Sequence, residues 1–213
     1  MQYLWLNKKN ENVKLIVFFN GWAMNESPIK HLNCEDYDVL QICDYRDIDF
    51  DFSQFNFEKY NEKYLICWSM GVYVASLFKN IFSTFTKKIA INGTTKIIDD
   101  SFGIPKKIYN ITVKLLNEDS CDKFIKNMFD NGKLNPNIII DRNLKELKDE
   151  LINIQKISLK NELKFDNAII SSDDKIVPTK NQLNFWENKA EVKQIQGTHC
   201  PFEEFSNWAE LLC

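Results

Sequence analysis

Histidine is nearly absent from this chain: His31 and His199 are the only two among 213 residues. Glycine is scarce as well, with six residues against a usual share of about 7%, so the place of each one is informative. The six cysteines, at 34, 43, 67, 121, 200 and 213, form no C-x-x-C pair and no metal-ligand spacing, which argues against a zinc or dithiol motif and for reduced thiols. The longest uncharged apolar stretch runs over residues 64–78, too short to cross a bilayer as a helix. No cationic segment precedes an apolar one near Met1, so a secretory signal is not expected. Nor is there an excess of basic charge: 27 Lys and Arg face 30 Asp and Glu, a net charge of −3, which argues against nucleic-acid binding. No internal repeat is visible. What remains is a cytoplasmic protein with neither a nucleic-acid nor a membrane partner. Its 44% hydrophobic and 13% aromatic content is enough for one well-cored domain over residues 1–213.

The chain is organised around residues 63–78. Residues 64–68 are continuously apolar, as in a strand buried on both faces of a mostly parallel sheet. Residues 70–78 read as an apolar helix with Gly71 and Ala75 on one side. Only Ser69 stands between them. A strand that becomes a helix across one serine holds it in a strained, projecting position, near a helix N-terminus that favours developing negative charge. The nucleophile-elbow pattern G-x-S-x-G here reads Cys67-Trp68-Ser69-Met70-Gly71, with a small cysteine in place of the first glycine. Read alone, Ser69 is equally well a helix N-cap.

Further strands are expected at residues 3–6 (an edge), 13–19, 38–43, 88–92, 165–171 and 191–196. The strand at 13–19 ends at Asn20-Gly21-Trp22-Ala23-Met24. An α/β hydrolase keeps half of its oxyanion hole in such a loop, the other half being the N–H after the nucleophile. That pattern makes Trp22 and Met70 the donors; an ordinary tight turn is the alternative. Asp47, Asp49 and Asp51 read as a solvated loop. Residues 98–163 carry helical periodicity at 105–116, 121–130 and 143–163, with breaks at Gly132 and Pro136. That is too much for one crossover, so it reads as a helical insertion, which over a hydrolase sheet would be a lid. A helix is expected at 178–188 and another over 202–212.

Ser69, Asp174 and His199 follow the α/β-hydrolase chain order of nucleophile, acid and base. Each falls at the carboxyl end of a strand, so a common sheet can bring them together. Gly21, Gly71 and Gly197 lie within two residues of Trp22, Ser69 and His199. The expected fold is therefore α/β, an α/β hydrolase with a mostly parallel sheet flanked by helices and a small helical lid. The chemistry is that of a serine carboxylesterase working through an acyl-enzyme, with no metal or organic cofactor. His31, in a polar loop, reads as incidental.

At these residues the chain resembles the BioG-type pimeloyl-[acyl-carrier protein] methyl ester esterases of biotin biosynthesis. The resemblance rests on Phe-Phe-Asn-Gly-Trp-Ala-Met at 18–24, Trp-Ser-Met-Gly-Val at 68–72, Asp-x-x-Val-Pro at 174–178 and His-x-Pro-Phe at 199–202, and it spans essentially the whole chain. It implies a triad acid at Asp174, with Asp173 as runner-up, and hydrolysis of the methyl ester of pimeloyl-carrier protein. It also implies docking of an acidic acyl-carrier protein on the lid lysines Lys106, Lys107, Lys114, Lys123 and Lys126. The lid's single arginine is Arg142. The chain is expected to act as a monomer. A thioesterase or general short-chain carboxylesterase with the same triad remains an alternative, as does a hydrolase-fold binding module without turnover.

Overall fold

The computed structural model describes residues 1–129 and 138–212; Gly132, Pro136 and Cys213 lie outside them. Seven strands make one sheet: β1 Gln2–Asn7, β2 Lys14–Phe19, β3 Asp38–Cys43, β4 Glu62–Trp68, β5 Lys87–Ile91, β6 Asn167–Ser171 and β7 Glu191–Ile195. Their order is β1-β3-β2-β4-β5-β6-β7. All neighbours are parallel except the edge pair β1 and β3. The apolar runs of β2, β4 and β5 are buried on both faces because helices cover both. Helices α1 Met70–Leu77 and α2 Lys79–Phe82 follow β4, and α6 Thr179–Trp186 lies between β6 and β7.

Strand order decides where a site can form. The chain leaves β2 towards β3 on one side and resumes at β4 on the other, so the loops after β2 and β4 part and leave a crevice at the carboxyl rim. Of the five non-glycine residues with positive φ among the described residues, four stand at that rim, directly or shortly after β2, β3, β4 and β5: Ala23 (69°), Asp44 (58°), Ser69 (55°) and Asn92 (46°). Each such conformation costs on the order of 1–3 kcal/mol and persists only where the surroundings enforce it.

Between β5 and β6 the chain inserts α3 Lys106–Leu115, α4 Glu118–Asn127 and α5 Leu144–Lys156. Capping boxes start α4 at Asn117 with Ser120 and α5 at Asn143 with Glu146. Helix α5 is shorter than the periodicity of residues 143–163 predicts. Ile157 turns extended, and its carbonyl accepts a 2.8 Å hydrogen bond from the Tyr73 hydroxyl instead of continuing the helix.

The helix expected over 202–212 is not one helix. Short 3₁₀ turns form at Phe202–Glu204 and Trp208–Leu212, separated by a parallel bridge between Asn33 and Asn207. The apolar residues there, Phe202, Phe205, Trp208 and Leu211, recur every third position. That is the 3₁₀ period, and it lets Phe202 and Trp208 both pack edge-on against Phe18. His31 Nε2 lies 3.0 Å from the Phe202 carbonyl and 3.2 Å from that of Phe205, where it ties down this segment.

Candidate active site

Ser69 joins β4 to α1 with φ 55° and ψ −120°. The strain is enforced by backbone packing. A Cβ on Gly71 would lie 2.3 Å from the Phe19 carbonyl oxygen, and one on Gly93 would lie 2.4 Å from the Ser69 carbonyl oxygen. The end of β2, the elbow and the loop after β5 therefore press on one another directly, which only glycine permits at those two points. Cys67 fits where the consensus has glycine. It is fully buried in β4 between Phe19 and Ala90, and burial pushes its thiol well above the ordinary range. It is no rival nucleophile.

Asp174 follows β6. Its Oδ1 accepts the backbone N–H groups of Ile176 (2.8 Å) and Val177 (2.9 Å), and its Oδ2 accepts Gln182 Nε2 at 2.8 Å. The same Oδ2 lies 2.8 Å from His199 Nδ1. Asp173 points outward and pairs with Lys175 at 3.1 Å.

His199 follows β7 through Gly197, whose φ of 138° suits glycine. The imidazole is 1% exposed. The His199 carbonyl accepts from Trp68 Nε1 (2.8 Å) and Asn92 Nδ2 (3.0 Å), which fixes the loop to the ends of β4 and β5. Nε2 lies 2.8 Å from Ser69 Oγ. The fold thus brings Ser69, His199 and Asp174 into one hydrogen-bonded line from three separate strands. Asp174 caps the imidazole from Nδ1, so Nε2 is the nitrogen facing the hydroxyl.

Trp22 and Met70 are also at the rim, after β2 and at the first position of α1. Among the described residues, neither backbone N–H donates to another protein group. The Trp22 side chain is held by the insertion: its indole N–H donates to the Leu147 carbonyl of α5 at 3.0 Å, and its ring meets Phe124 of α4 edge-on at 4.7 Å. Behind His199, Met128 accepts from Cys200 N–H and from the Thr198 hydroxyl. Ser69 is only 6% exposed beneath this cover.

Sequence reasoning passed over several residues that build the site. Gly93 reads as a plain strand stop, yet it carries the closest approach to Ser69. Asn92 carries no signal beyond its place before that glycine. Gln182, eight positions after Asp174, has none. Arg142 is largely withdrawn from the surface. It turns inward to lie 3.2 Å from Asp44 Oδ1 and 2.9 Å from Glu150 Oε2, which removes it from any docking face.

Among the described residues no group of three or more His, Cys, Asp or Glu is placed to hold a metal ion, and no helix is long and apolar enough to cross a membrane.

Comparison with known proteins agrees with this fold. A crystal structure of BioG from Haemophilus influenzae superposes with a TM-score of 0.86 at 30% identity, covering 99% of both chains. An esterase from Exiguobacterium antarcticum shares the fold at a TM-score of 0.67 and 17% identity, over 95% of this chain and 89% of that one. A Bacteroides fragilis protein named malonyl-[acyl-carrier protein] O-methyltransferase is 34% identical over 192 residues, 86% of this chain but 39% of that longer protein. The model of the family described as pimeloyl-ACP methyl esterase BioG matches residues 1–211. With an α/β-hydrolase sheet, a serine elbow and this match along nearly its whole length, the chain belongs to the BioG family of pimeloyl-ACP methyl esterases.

Proposed function

We propose that Ser69, His199 and Asp174 are the catalytic triad of this esterase, with the N–H groups of Trp22 and Met70 as its oxyanion hole. The observation that carries the reading is the line Asp174 Oδ2, His199 Nδ1, His199 Nε2, Ser69 Oγ, with both gaps at 2.8 Å. His199 Nε2 takes the hydroxyl proton as Oγ attacks the ester carbonyl. Asp174 holds the imidazole in the required tautomer and stabilises the imidazolium. The two N–H groups receive the oxyanion. As it collapses, methanol leaves with the proton from His199. Water, activated by the same imidazole, then cleaves the acyl-enzyme and frees the carboxylate.

The substrate is the methyl ester of pimeloyl-carrier protein. The insertion over residues 98–163 serves as a lid within one domain, which the near-complete burial of Ser69 and His199 supports. The carrier protein docks on α3. That helix exposes Lys106, Lys107 and Lys114 beside Ile108, Ile111 and Leu115, three of the seven large hydrophobic residues most exposed among the described residues. A basic, apolar face of this kind suits an acidic helical partner. The enzyme works as a cytoplasmic monomer.

The test measures methanol release from pimeloyl-carrier-protein methyl ester. Wild type should release it and be labelled by a fluorophosphonate at Ser69. Ser69→Ala should lose roughly 10⁴-fold or more in kcat. A folded Ser69→Ala variant that keeps its activity would remove the assignment.

A further inference from the structure

The loop that carries the Trp22 N–H is tied at both ends to one face of helix α5. At its far end the Trp22 indole donates to Leu147. At its near end the Asn20 carbonyl accepts a 2.7 Å hydrogen bond from the Tyr45 hydroxyl. Tyr45 is held in turn by α5: Glu150 Oε1 accepts its backbone N–H at 2.8 Å, and Asn153 Nδ2 donates to its carbonyl at 2.8 Å. Leu147, Glu150 and Asn153 are spaced by three residues, along one side of the helix.

Between these ties the loop is held by hydrogen bonds within itself. Gly21 packs flat against the Trp68 ring, 3.1 Å from where a Cβ would stand; its N–H donates to Asn20 Oδ1 at 2.8 Å and its carbonyl accepts the Met24 N–H at 3.3 Å. The Asn20–Gly21 peptide precedes the plane that bears the Trp22 N–H. Asn20 itself is fully buried. Its N–H donates to Ile42, its Nδ2 to Asn25, and its Oδ1 accepts from Gly21. Its Nδ2 also lies 3.4 Å from Gln41 Oε1 on β3, and its carbonyl is the atom that Tyr45 holds; the Tyr45 hydroxyl lies 3.3 Å from the Ile42 carbonyl as well. Burial pushes the Tyr45 phenol well above its ordinary range, so the hydroxyl stays a donor.

We propose that Tyr45 is a positioning residue for ester hydrolysis, relaying the placement of helix α5 to the oxyanion loop. The insertion is then more than a cover. Seating α5 completes the oxyanion hole, and lifting it to admit substrate loosens the hole. This rests on the oxyanion role of Trp22 proposed above.

The test uses hydrolysis of a short-chain p-nitrophenyl ester and binding of butylboronic acid, which adds to a serine hydroxyl as a tetrahedral anion. Tyr45→Phe keeps the ring and removes only the hydroxyl. We expect kcat to fall about 10- to 100-fold with KM changed less than about threefold, and the boronate to bind more weakly by a similar factor. A purely structural role would lower the fraction of sites titrated by fluorophosphonate but leave the rate and boronate affinity of each remaining site unchanged; that outcome, or full activity, overturns the proposal. Should Tyr45→Phe not fold, Asn153→Ala reads the same link from the insertion side, with an expected kcat loss of about three- to tenfold, and no loss again overturns it. If wild type binds no boronate and Ser69→Ala stays active, the triad reading itself fails and takes this one with it. If wild type binds boronate through Ser69 and Tyr45→Phe is indistinguishable from it, only the relay fails.

Discussion

The rim of the sheet and the helical insertion above it hold the same few residues in place by different means. At the rim, backbone presses on backbone: Gly71 against Phe19 and Asn20, Gly93 against Ser69. Nothing there can give way without moving a strand. Apart from the Cys200 N–H on the Met128 carbonyl, the attachments of the insertion described above run through side chains. Arg142 joins Asp44 to Glu150, Arg46 joins Asp44 to Glu146, Trp22 reaches Leu147, and Tyr73 reaches Ile157. Such contacts can be broken and remade, and some of them respond to pH. This division suits the proposed triad and lid, in which a fixed nucleophile sits under a cover that admits substrate.

The sharpest way to break the comparison is at the rim. Asp174→Asn keeps the shape but no longer supports the required imidazole tautomer, so kcat should fall by roughly 10⁴. Asp173→Asn, an exposed neighbour paired only with Lys175, should stay within about threefold in the same assay. If Asp173 proved the more damaging change, the acid would be wrongly assigned. Gly71→Ala comes next. Its methyl would meet backbone at 2.3 Å, so the loss should exceed the usual ~1–3 kcal/mol of overpacking and reach about 4 kcal/mol. In thermal melts that is a fall of about 10 °C. A Gly71→Ala protein that melts like wild type would show that the rim yields after all.

What the chain discloses about itself follows the same line. The parallel strands are legible because burial on both faces demands unbroken apolar runs, and residues 64–68 are one. Ser69, Asp174 and His199 could be singled out because topology places a residue after a strand at a known rim, and scarce histidine and glycine left few candidates. The choice between Asp173 and Asp174 could not be made that way, since both occupy one loop and only the partners Gln182 and His199 distinguish them. The terminal segment reads as one helix because an apolar period of three passes for a helical one over ten residues. The insertion's attachments were hidden for a deeper reason. Arg142 meets Asp44, and Glu150 meets Tyr45, across about a hundred residues, and no local pattern announces a pairing of that range.

The remaining predictions probe the insertion. Arg142→Met takes the countercharge from Glu150, whose side chain is fully buried. Stranding a buried charge should cost about 3 kcal/mol, less than the glycine change and without backbone rearrangement. The loss should depend on pH. Burial already raises the Glu150 carboxyl above its ordinary 4.5, with the Arg142 charge opposing that rise. Without Arg142 the folded state holds the Glu150 proton to higher pH than the unfolded state does. Stability therefore falls as pH climbs from the unfolded value through the folded one. The Tm deficit against wild type should be larger at pH 8 than at pH 5. A deficit independent of pH would mean that Glu150 is not left charged and alone.

The smallest effect is expected at the outer link. Arg46 and Glu146 meet at 2.8 Å with both side chains 31% exposed, where water screens the pair to less than about 1 kcal/mol. Glu146 has a second task, accepting the Asn143 N–H in the capping box that starts α5. Glu146→Gln keeps that acceptor and removes only the charge. It should shift Tm by no more than about 3 °C, and the shift should vanish in high salt. Glu146→Ala loses the cap as well, so it should cost about 1 kcal/mol more, a difference that salt does not erase. If the two variants melt alike, the charge alone matters at this corner, and the insertion is fastened by its buried arginine and its link to Tyr45 rather than by the way its last helix begins.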